Sequence, residues 1–302
     1  MSQEPPLLFP NDLPRLTHAQ MAAEVLEWLD GQPSLGINKS SRIYVLCRAV
    51  VKNAGRISER GDPQYVLLEQ SFKDVQELWL ITRVLGGELL EHPFKEPLIR
   101  AGTNDSELPE DSGDLTRGRD AQFELFVGAI GRRIGLDVSH LGEGQPDWLM
   151  STGLRAWTVE TKRAKSAKAV NRLSEKAAKQ IERSLVGGVI VIDVSAIGGA
   201  DQRRLVRCIT DDELSNAREQ MGDAILKDGL PQIMKAVGDV PVGLIIIHDY
   251  VIRPAGRKPD GVEVPWGLHG SWWAYHREEP GSSQRDRYEE FWELFGRGLP
   301  DL

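Results

Sequence analysis

One short stretch, residues 145–163, limits what this chain can fold into more than any other. It reads QPDWLMSTGLRAWTVETKR, in which two largely apolar runs flank the turn sequence Ser-Thr-Gly at 151–153. Turn residues between two such runs predict an antiparallel hairpin. The hairpin brings Asp147, at the start of the first strand, towards Glu160 near the end of the second. Because side chains alternate along a strand, Glu160 and Lys162 are predicted to share one face.

Two carboxylates and an amine in one place suggest a metal site. Carboxylate oxygens are ligands that Mg²⁺ and Mn²⁺ prefer, so Asp147 and Glu160 are candidate ligands for either ion. A neighbouring lysine, here Lys162, can act on the attacking water and offset charge in the transition state. No other lysine of the chain follows an Asp or Glu by two positions, so the pairing is specific within this sequence.

The pattern resembles the motif of the PD-(D/E)XK nuclease superfamily, which would read here as Pro-Asp at 146–147 and Glu-Thr-Lys at 160–162. The resemblance implies that both acids bind the metal and that the lysine is catalytic. It also implies that the main-chain carbonyl of Thr161 is a further metal ligand.

The resemblance extends over about residues 119–195. Periodicity there predicts a helix, three strands, a helix and a strand at 120–133, 136–141, 146–150, 154–162, 166–185 and 188–194. This is the αβββαβ order of the superfamily, so we expect an α/β, restriction-endonuclease-like core with a mixed central sheet. By the same resemblance, Glu124 on the first helix supports metal binding and Gln180 on the second helix assists catalysis.

The rest of the chain predicts two domains. Helical patterns beginning at residue 17 and covering 41–52 and 63–85 indicate an α-helical module, and the acidic stretch 101–118 marks a linker. We therefore expect an N-terminal helical module with its acidic linker over 1–114 and a nuclease-like domain with a C-terminal extension over 115–302. The extension is predicted to contain helices and strands at 210–227, 240–252, 271–276 and 284–295.

Charge is distributed unevenly along the chain. The net charge is −8, yet residues 115–195 carry 13 Lys and Arg against 9 Asp and Glu. Phosphate contacts supply most non-specific affinity for nucleic acids, so basic residues next to the motif are candidate nucleic-acid contacts. These are Lys165, Lys168, Arg172 and Lys176. For any single one of them, a helix face made soluble by basic side chains is the favoured reading.

Several function classes and compartments find no support. Two cysteines indicate neither a disulfide framework nor a cysteine zinc site, and the polar, proline-containing start is unlike a signal peptide, so we expect a cytoplasmic protein. The longest apolar run, residues 240–247, is far shorter than the roughly 18 residues of a membrane span. The histidines show no metal-ligand spacing, and neither a GxSxG sequence nor a Walker phosphate loop occurs.

The leading hypothesis is an Mg²⁺- or Mn²⁺-dependent nuclease that hydrolyses phosphodiester bonds in DNA, with RNA less favoured. By analogy with how such nucleases act, the helical module would bind a helicase, an ATPase or another protein partner in a restriction or antiviral defence system. The alternative is a nuclease-like fold without catalysis that binds nucleic acid or a partner protein. A third reading takes Glu160 and Lys162 as an ordinary surface ion pair worth under about 1 kcal/mol.

Overall fold

The chain is an α/β protein with a mixed, open main sheet, which confirms the predicted fold class at that level. It divides into two compact units: a first unit, Met1–His140 with Arg297–Leu299, and a second unit, Leu141–Gly296 with Pro300–Leu302. Within the part of the chain that is described, no helix could span a membrane. The computed structural model describes residues 16–53, 63–91, 94–103, 117–142, 144–184, 186–195, 197, 210–253, 256–257, 261, 263–264, 267–278 and 281–299.

The first unit is mainly helical. Its helices and strand are α1 (His18–Asp30), α2 (Arg42–Asn53), α3 (Pro63–Leu85), α4 (Lys95–Thr103), α5 (Arg117–Arg133) and β1 (Asp137–His140). All except α4 are predicted from the sequence. The predicted linker at 101–118 is wrong at both ends, since α4 ends at Thr103 and α5 begins at Arg117. Residues 104–116 lie outside the described residues.

The start of α1 shows how local sequence sets an element. Thr17 and Gln20 form a capping box, in which the Gln20 N–H donates to the Thr17 hydroxyl over 3.3 Å and the Thr17 N–H donates to the Gln20 side chain over 2.8 Å. These bonds satisfy amide groups that lack partners at a helix start. Behind the cap, Met21, Val25 and Leu29 form the buried stripe that the helical spacing predicts.

Buried polar side chains join three helices of the first unit. The Arg42 guanidinium of α2 donates to Asp74 of α3 over 2.8 Å and to Gln122 of α5 over 2.5 Å. Gln122 in turn donates to Glu77 of α3 over 2.5 Å. The two side chains of the Arg42–Asp74 pair are 2% and 5% exposed, so this is a buried ion pair within the helical core.

The second unit contains the remaining strands and helices, except that the last two residues of the final helix are grouped with the first unit. After β1 the elements are β2 (Trp148–Ser151), β3 (Ala156–Arg163), α6 (Ala167–Ile181), β4 (Gly188–Asp193), α7 (Asp211–Val237), β5 (Val242–Arg253), β6 (Gly256–Arg257), β7 (Glu263–Val264), β8 (Gly267–His276) and α8 (Ser283–Gly298).

Five of these strands form a mixed sheet in the order β2, β3, β4, β5, β8. The pairs β2–β3 and β5–β8 are antiparallel, whereas β3–β4 and β4–β5 are parallel. One face packs against α6 and α7, where Ile190 of β4 shares a buried cluster with Ile181 of α6 and Ile233 of α7. The opposite face packs against α8, since the Trp157 ring of β3 lies 5.3 Å from that of Phe291.

Three features of the second unit differ from the sequence-based expectations. Helix α7 continues ten residues beyond the predicted end at 227 and carries Pro231 inside it. Ile233 and Val237 belong to the buried cluster, so packing holds the last turns despite the proline. Strand β8 begins at Gly267 rather than 271 because its pairing with β5 continues to Arg253. The short β6–β7 pair is not predicted.

Candidate active site

The β2–β3 hairpin places Asp147 opposite Glu160. Trp148 pairs with Val159 in antiparallel register, and Asp147 comes directly before Trp148. The turn closes around Thr152, whose N–H donates to the carbonyl of Arg155 over 2.8 Å. The hairpin is therefore as the sequence predicts, whereas its turn spans 152–155 rather than 151–153, because Ser151 still pairs with Ala156.

Main-chain amides link the two acids. The Asp147 N–H donates to Glu160 Oε2 over 3.1 Å. Thr161 donates to Asp147 Oδ2 twice, from its N–H over 2.8 Å and from its hydroxyl over 2.6 Å. Each carboxyl group is thus held by a main-chain N–H from the segment that carries the other acid.

Lys162 contacts Glu160 directly. Its Nζ donates to Glu160 Oε1 and, over 3.1 Å, to the carbonyl of Thr161. The carbonyl that the resemblance assigns to a metal therefore accepts a hydrogen bond from the lysine. The Glu160 side chain has no exposed surface and that of Lys162 is 13% exposed, so this is not an ordinary surface ion pair.

The face of the sheet that carries this pair is set by register. Glu160 pairs with Ile190 and Lys162 with Ile192, and both isoleucines lie in the cluster formed with α6 and α7. Paired residues on neighbouring strands point to the same side. Glu160 and Lys162 therefore share the sheet face that α6 covers, as their spacing predicts.

Burial, and after it the nearby negative charge of Asp147, raise the pKa of Glu160 from 4.5 to about 8. Lys162 and the hydrogen bond from the Asp147 N–H act in the opposite direction and offset part of the rise. Without an added cation, this carboxyl group is therefore neutral over much of the physiological range. A bound divalent cation would favour its charged form, because metal ligands bind deprotonated.

Helix α6 holds the loop that precedes Asp147. The side-chain amide of Gln180 donates to the carbonyl of Gln145 over 2.9 Å, and Arg183 donates to the carbonyl of Gly144 over 2.8 Å. The other polar atom of Gln180, Oε1, is buried and has no hydrogen-bond partner among the described residues. A buried oxygen without a donor is one that a water molecule or a cation could satisfy.

The four predicted nucleic-acid contacts lie on or just before α6. Lys168, Arg172 and Lys176 are exposed, and their spacing of four residues places them along one flank of the helix. Lys165 precedes the helix and is half-buried. The helix buries Val170, Ala177, Ala178 and Ile181 on its other side.

Glu124 belongs to the first unit, whereas the other predicted site residues belong to the second. Its Oε1 lies 2.7 Å from His140 Nε2 and its Oε2 lies 3.5 Å from Arg100. The sequence analysis identifies neither partner. No spacing pattern connects them to Glu124, because the contacts depend on how α4, α5 and β1 pack.

A second charged group, on the other face of the sheet, is also missed by the sequence analysis. Arg163, Asp193 and His248 stand side by side on β3, β4 and β5. Arg163 Nε lies 2.6 Å from Asp193, and His248 Nδ1 lies 3.4 Å from it. The His248 ring lies against Trp272, with centroids 4.0 Å apart and the ring planes tilted by 36°. All three side chains of the group are buried.

The candidate site contains the types of ligand atom that a hard divalent cation binds. It consists of two carboxylates with carbonyl and amide oxygens nearby, which are the ligands of Mg²⁺ and Mn²⁺. Among the residues described, no three His, Cys, Asp or Glu side chains converge in a way that could hold a metal ion. A cation here would therefore depend on two acids and on oxygens of other types.

Comparison of the chain with protein-family models, curated proteins and solved structures finds no match. Any functional assignment therefore rests on the residues and their geometry.

Proposed function

We propose that the chain is a metal-dependent nuclease of the PD-(D/E)XK type that hydrolyses phosphodiester bonds in DNA. The observation that carries the proposal is that one hairpin brings together Asp147, Glu160 and Lys162. The Glu160 carboxyl group accepts hydrogen bonds from Lys162 Nζ and from the main-chain N–H of Asp147. A hairpin has no structural need for a fully buried glutamate in contact with a lysine, because burying charge carries a penalty.

Each residue has a role in this proposal. Asp147 and Glu160 would hold Mg²⁺ or Mn²⁺, with the Thr161 carbonyl, Gln180 and Glu124 as the further residues that the resemblance implies. The bound ion would supply an activated water and stabilise charge on the phosphate. Lys162 would orient the attacking water or take its proton, and its positive charge would offset the charge of the transition state.

A nucleic acid is the favoured kind of substrate because of the charge around the hairpin. Residues 115–195 have more basic than acidic side chains, and Lys168, Arg172 and Lys176 extend along an exposed flank of the helix that follows the motif. Such a flank suits a phosphate backbone, whose contacts are largely independent of base sequence. RNA offers the same phosphates and stays the less favoured substrate.

The helical first unit suggests a partner. We propose that it recruits a helicase, an ATPase or another protein in the cytoplasm, with the nuclease as effector of a restriction or antiviral defence system. A pull-down with the full chain should recover such a protein, and substitutions on the surface of the first unit should weaken the recovery without affecting metal binding.

The direct test is cleavage of supercoiled plasmid and single-stranded DNA with Mg²⁺, with Mn²⁺ and with chelator. Cleavage should require the metal, and Glu160→Ala and Lys162→Ala should abolish it while the fold is retained. Lys179→Ala is the matched control, because Lys179 is an exposed lysine paired with Glu175 over 2.6 Å. That variant should cleave as the unmodified chain does.

Two results would count against the proposal. Unchanged cleavage by Lys162→Ala would exclude the catalytic role of the lysine. A folded chain that neither cleaves DNA nor binds Mn²⁺ in a manner dependent on Asp147 would instead favour the alternative, a nuclease-like fold that acts as a binding module.

A further inference from the structure

The side-chain hydroxyl of Thr161 makes a contact for which the motif gives no reason. It donates to Asp147 Oδ2 over 2.6 Å, and the N–H of the same residue donates to the same oxygen over 2.8 Å. In the other direction, the Asp147 N–H donates to Glu160 Oε2. Each carboxyl group is therefore held by a donor from the opposite strand segment.

The two oxygens of the Asp147 carboxyl group are left in different situations. Oδ2 accepts both bonds from Thr161, whereas Oδ1 accepts no hydrogen bond from any residue within the described part of the chain. Thr161 is buried, so water cannot readily take the place of its hydroxyl. Two donors on one oxygen fix the rotation of the carboxyl group and leave the other oxygen for a ligand.

We propose that Thr161 is a positioning residue whose hydroxyl orients Asp147 so that Oδ1 is the oxygen that binds the divalent cation. This inference rests on the proposed function and adds to it. It differs from the carbonyl role that the resemblance implies, because the hydroxyl acts through Asp147 and does not touch the cation. Donors that orient a metal ligand in this way typically change metal affinity by about 10–100-fold when removed.

The strand offers a matched pair of substitutions. Thr161→Val replaces the hydroxyl with a methyl group of similar size, and its neighbour on β4 is Val191, so the methyl meets an aliphatic side chain. Thr158→Val is the control, because Thr158 is also buried on β3 and its hydroxyl donates to the carbonyl of Val186 over 3.2 Å. Thr161→Ser retains the hydroxyl and serves as the rescue variant.

The experiment is calorimetric titration of each full-length variant with Mn²⁺, together with plasmid cleavage over a range of Mn²⁺ concentrations. Thr161→Val should raise the Mn²⁺ Kd about 10–100-fold, and its cleavage should return when Mn²⁺ is raised by the same factor. Thr161→Ser and Thr158→Val should stay close to the unmodified chain. A purely structural role for Thr161 would not produce recovery by added Mn²⁺.

The outcomes separate the two proposals. An unchanged Mn²⁺ Kd in Thr161→Val would overturn this inference and leave the nuclease proposal standing. Absence of Mn²⁺ binding by the folded, unmodified chain would overturn both. If the valine variant does not fold, Thr161→Ala, which adds no branched methyl group, takes its place with the same expected change in Kd.

Discussion

Glu160 should make the stability of the chain fall as pH rises, and Glu160→Gln should remove that dependence. The pKa of this carboxyl group is raised in the folded state by burial and by the charge of Asp147, whereas in the unfolded chain it returns to its ordinary value. Between the two values the folded state binds the extra proton. The favourable contribution is therefore complete below about pH 4.5 and is lost as pH rises through about 8.

The pKa values set the size of the effect. A pKa of about 8 in the folded state against 4.5 in the unfolded state corresponds to at most about 5 kcal/mol, since each pH unit contributes about 1.4 kcal/mol. Glutamine has nearly the same shape and cannot ionise. Its oxygen can accept the Asp147 N–H, and Lys162 keeps its bond to the Thr161 carbonyl. The free energy of unfolding of Glu160→Gln, relative to the unmodified chain, should therefore increase by several kcal/mol from pH 4.5 to pH 9.

Urea unfolding measured by tryptophan fluorescence is the appropriate assay, because Trp148 and Trp157 are fully buried on the two hairpin strands. Glu175→Gln is the control. Its carboxyl group is exposed, and its pair with Lys179 lowers its pKa, so it is charged in both states above pH 5. A difference between Glu160→Gln and the unmodified chain that does not change with pH would refute the reasoning. Under the proposed function, Mg²⁺ at pH 9 should stabilise the unmodified chain and leave Glu160→Gln unaffected.

Two further predictions concern the fold. Arg42→Met should lower the free energy of unfolding by about 3 kcal/mol in urea titration, because it leaves the carboxylate of Asp74 buried without its closest cation; an effect below about 1 kcal/mol would contradict the buried-pair assignment. Gly188→Ala should destabilise the chain by about 1–3 kcal/mol, because the added methyl group would overlap the Ile181 side chain of α6. Gly153→Ala, where an added methyl meets nothing within 4 Å, should change the thermal midpoint little, and equal losses in both glycine variants would exclude the packing explanation.

The sequence predicts the hairpin and its charged residues because that information is local. Alternation along β3 fixes which side chains share a face, and the turn between β2 and β3 fixes which residues meet across the strands. Helix α4 is missed because Pro97 and Gly102 suggest a break. Pro97 lies in the first turn, where a proline is tolerated, and buried Leu98 and Ala101 hold the helix in place.

Contacts that depend on packing between elements are not predicted. Arg183 reaches the carbonyl of Gly144 from the end of α6, and nothing in the spacing of these residues indicates the contact. The same holds for His140 beside Glu124. Such pairs depend on how the elements of the chain pack against one another. A single sequence therefore indicates the types of ligand in the candidate site and omits the residues that orient them.

The charged group on the far face of the sheet has a consequence for how β3 is aligned. If β3 slipped by one residue against β4, every side chain would change face, and Arg163 would leave Asp193 and enter the apolar layer that contains Ile181 and Ile192. An unpaired buried guanidinium carries a penalty of several kcal/mol, roughly 3–5 when a buried pair is broken. The Arg163–Asp193 ion pair thus helps to fix the register of β3. It thereby also helps to fix the opposite face of the sheet as the one on which Glu160 and Lys162 lie.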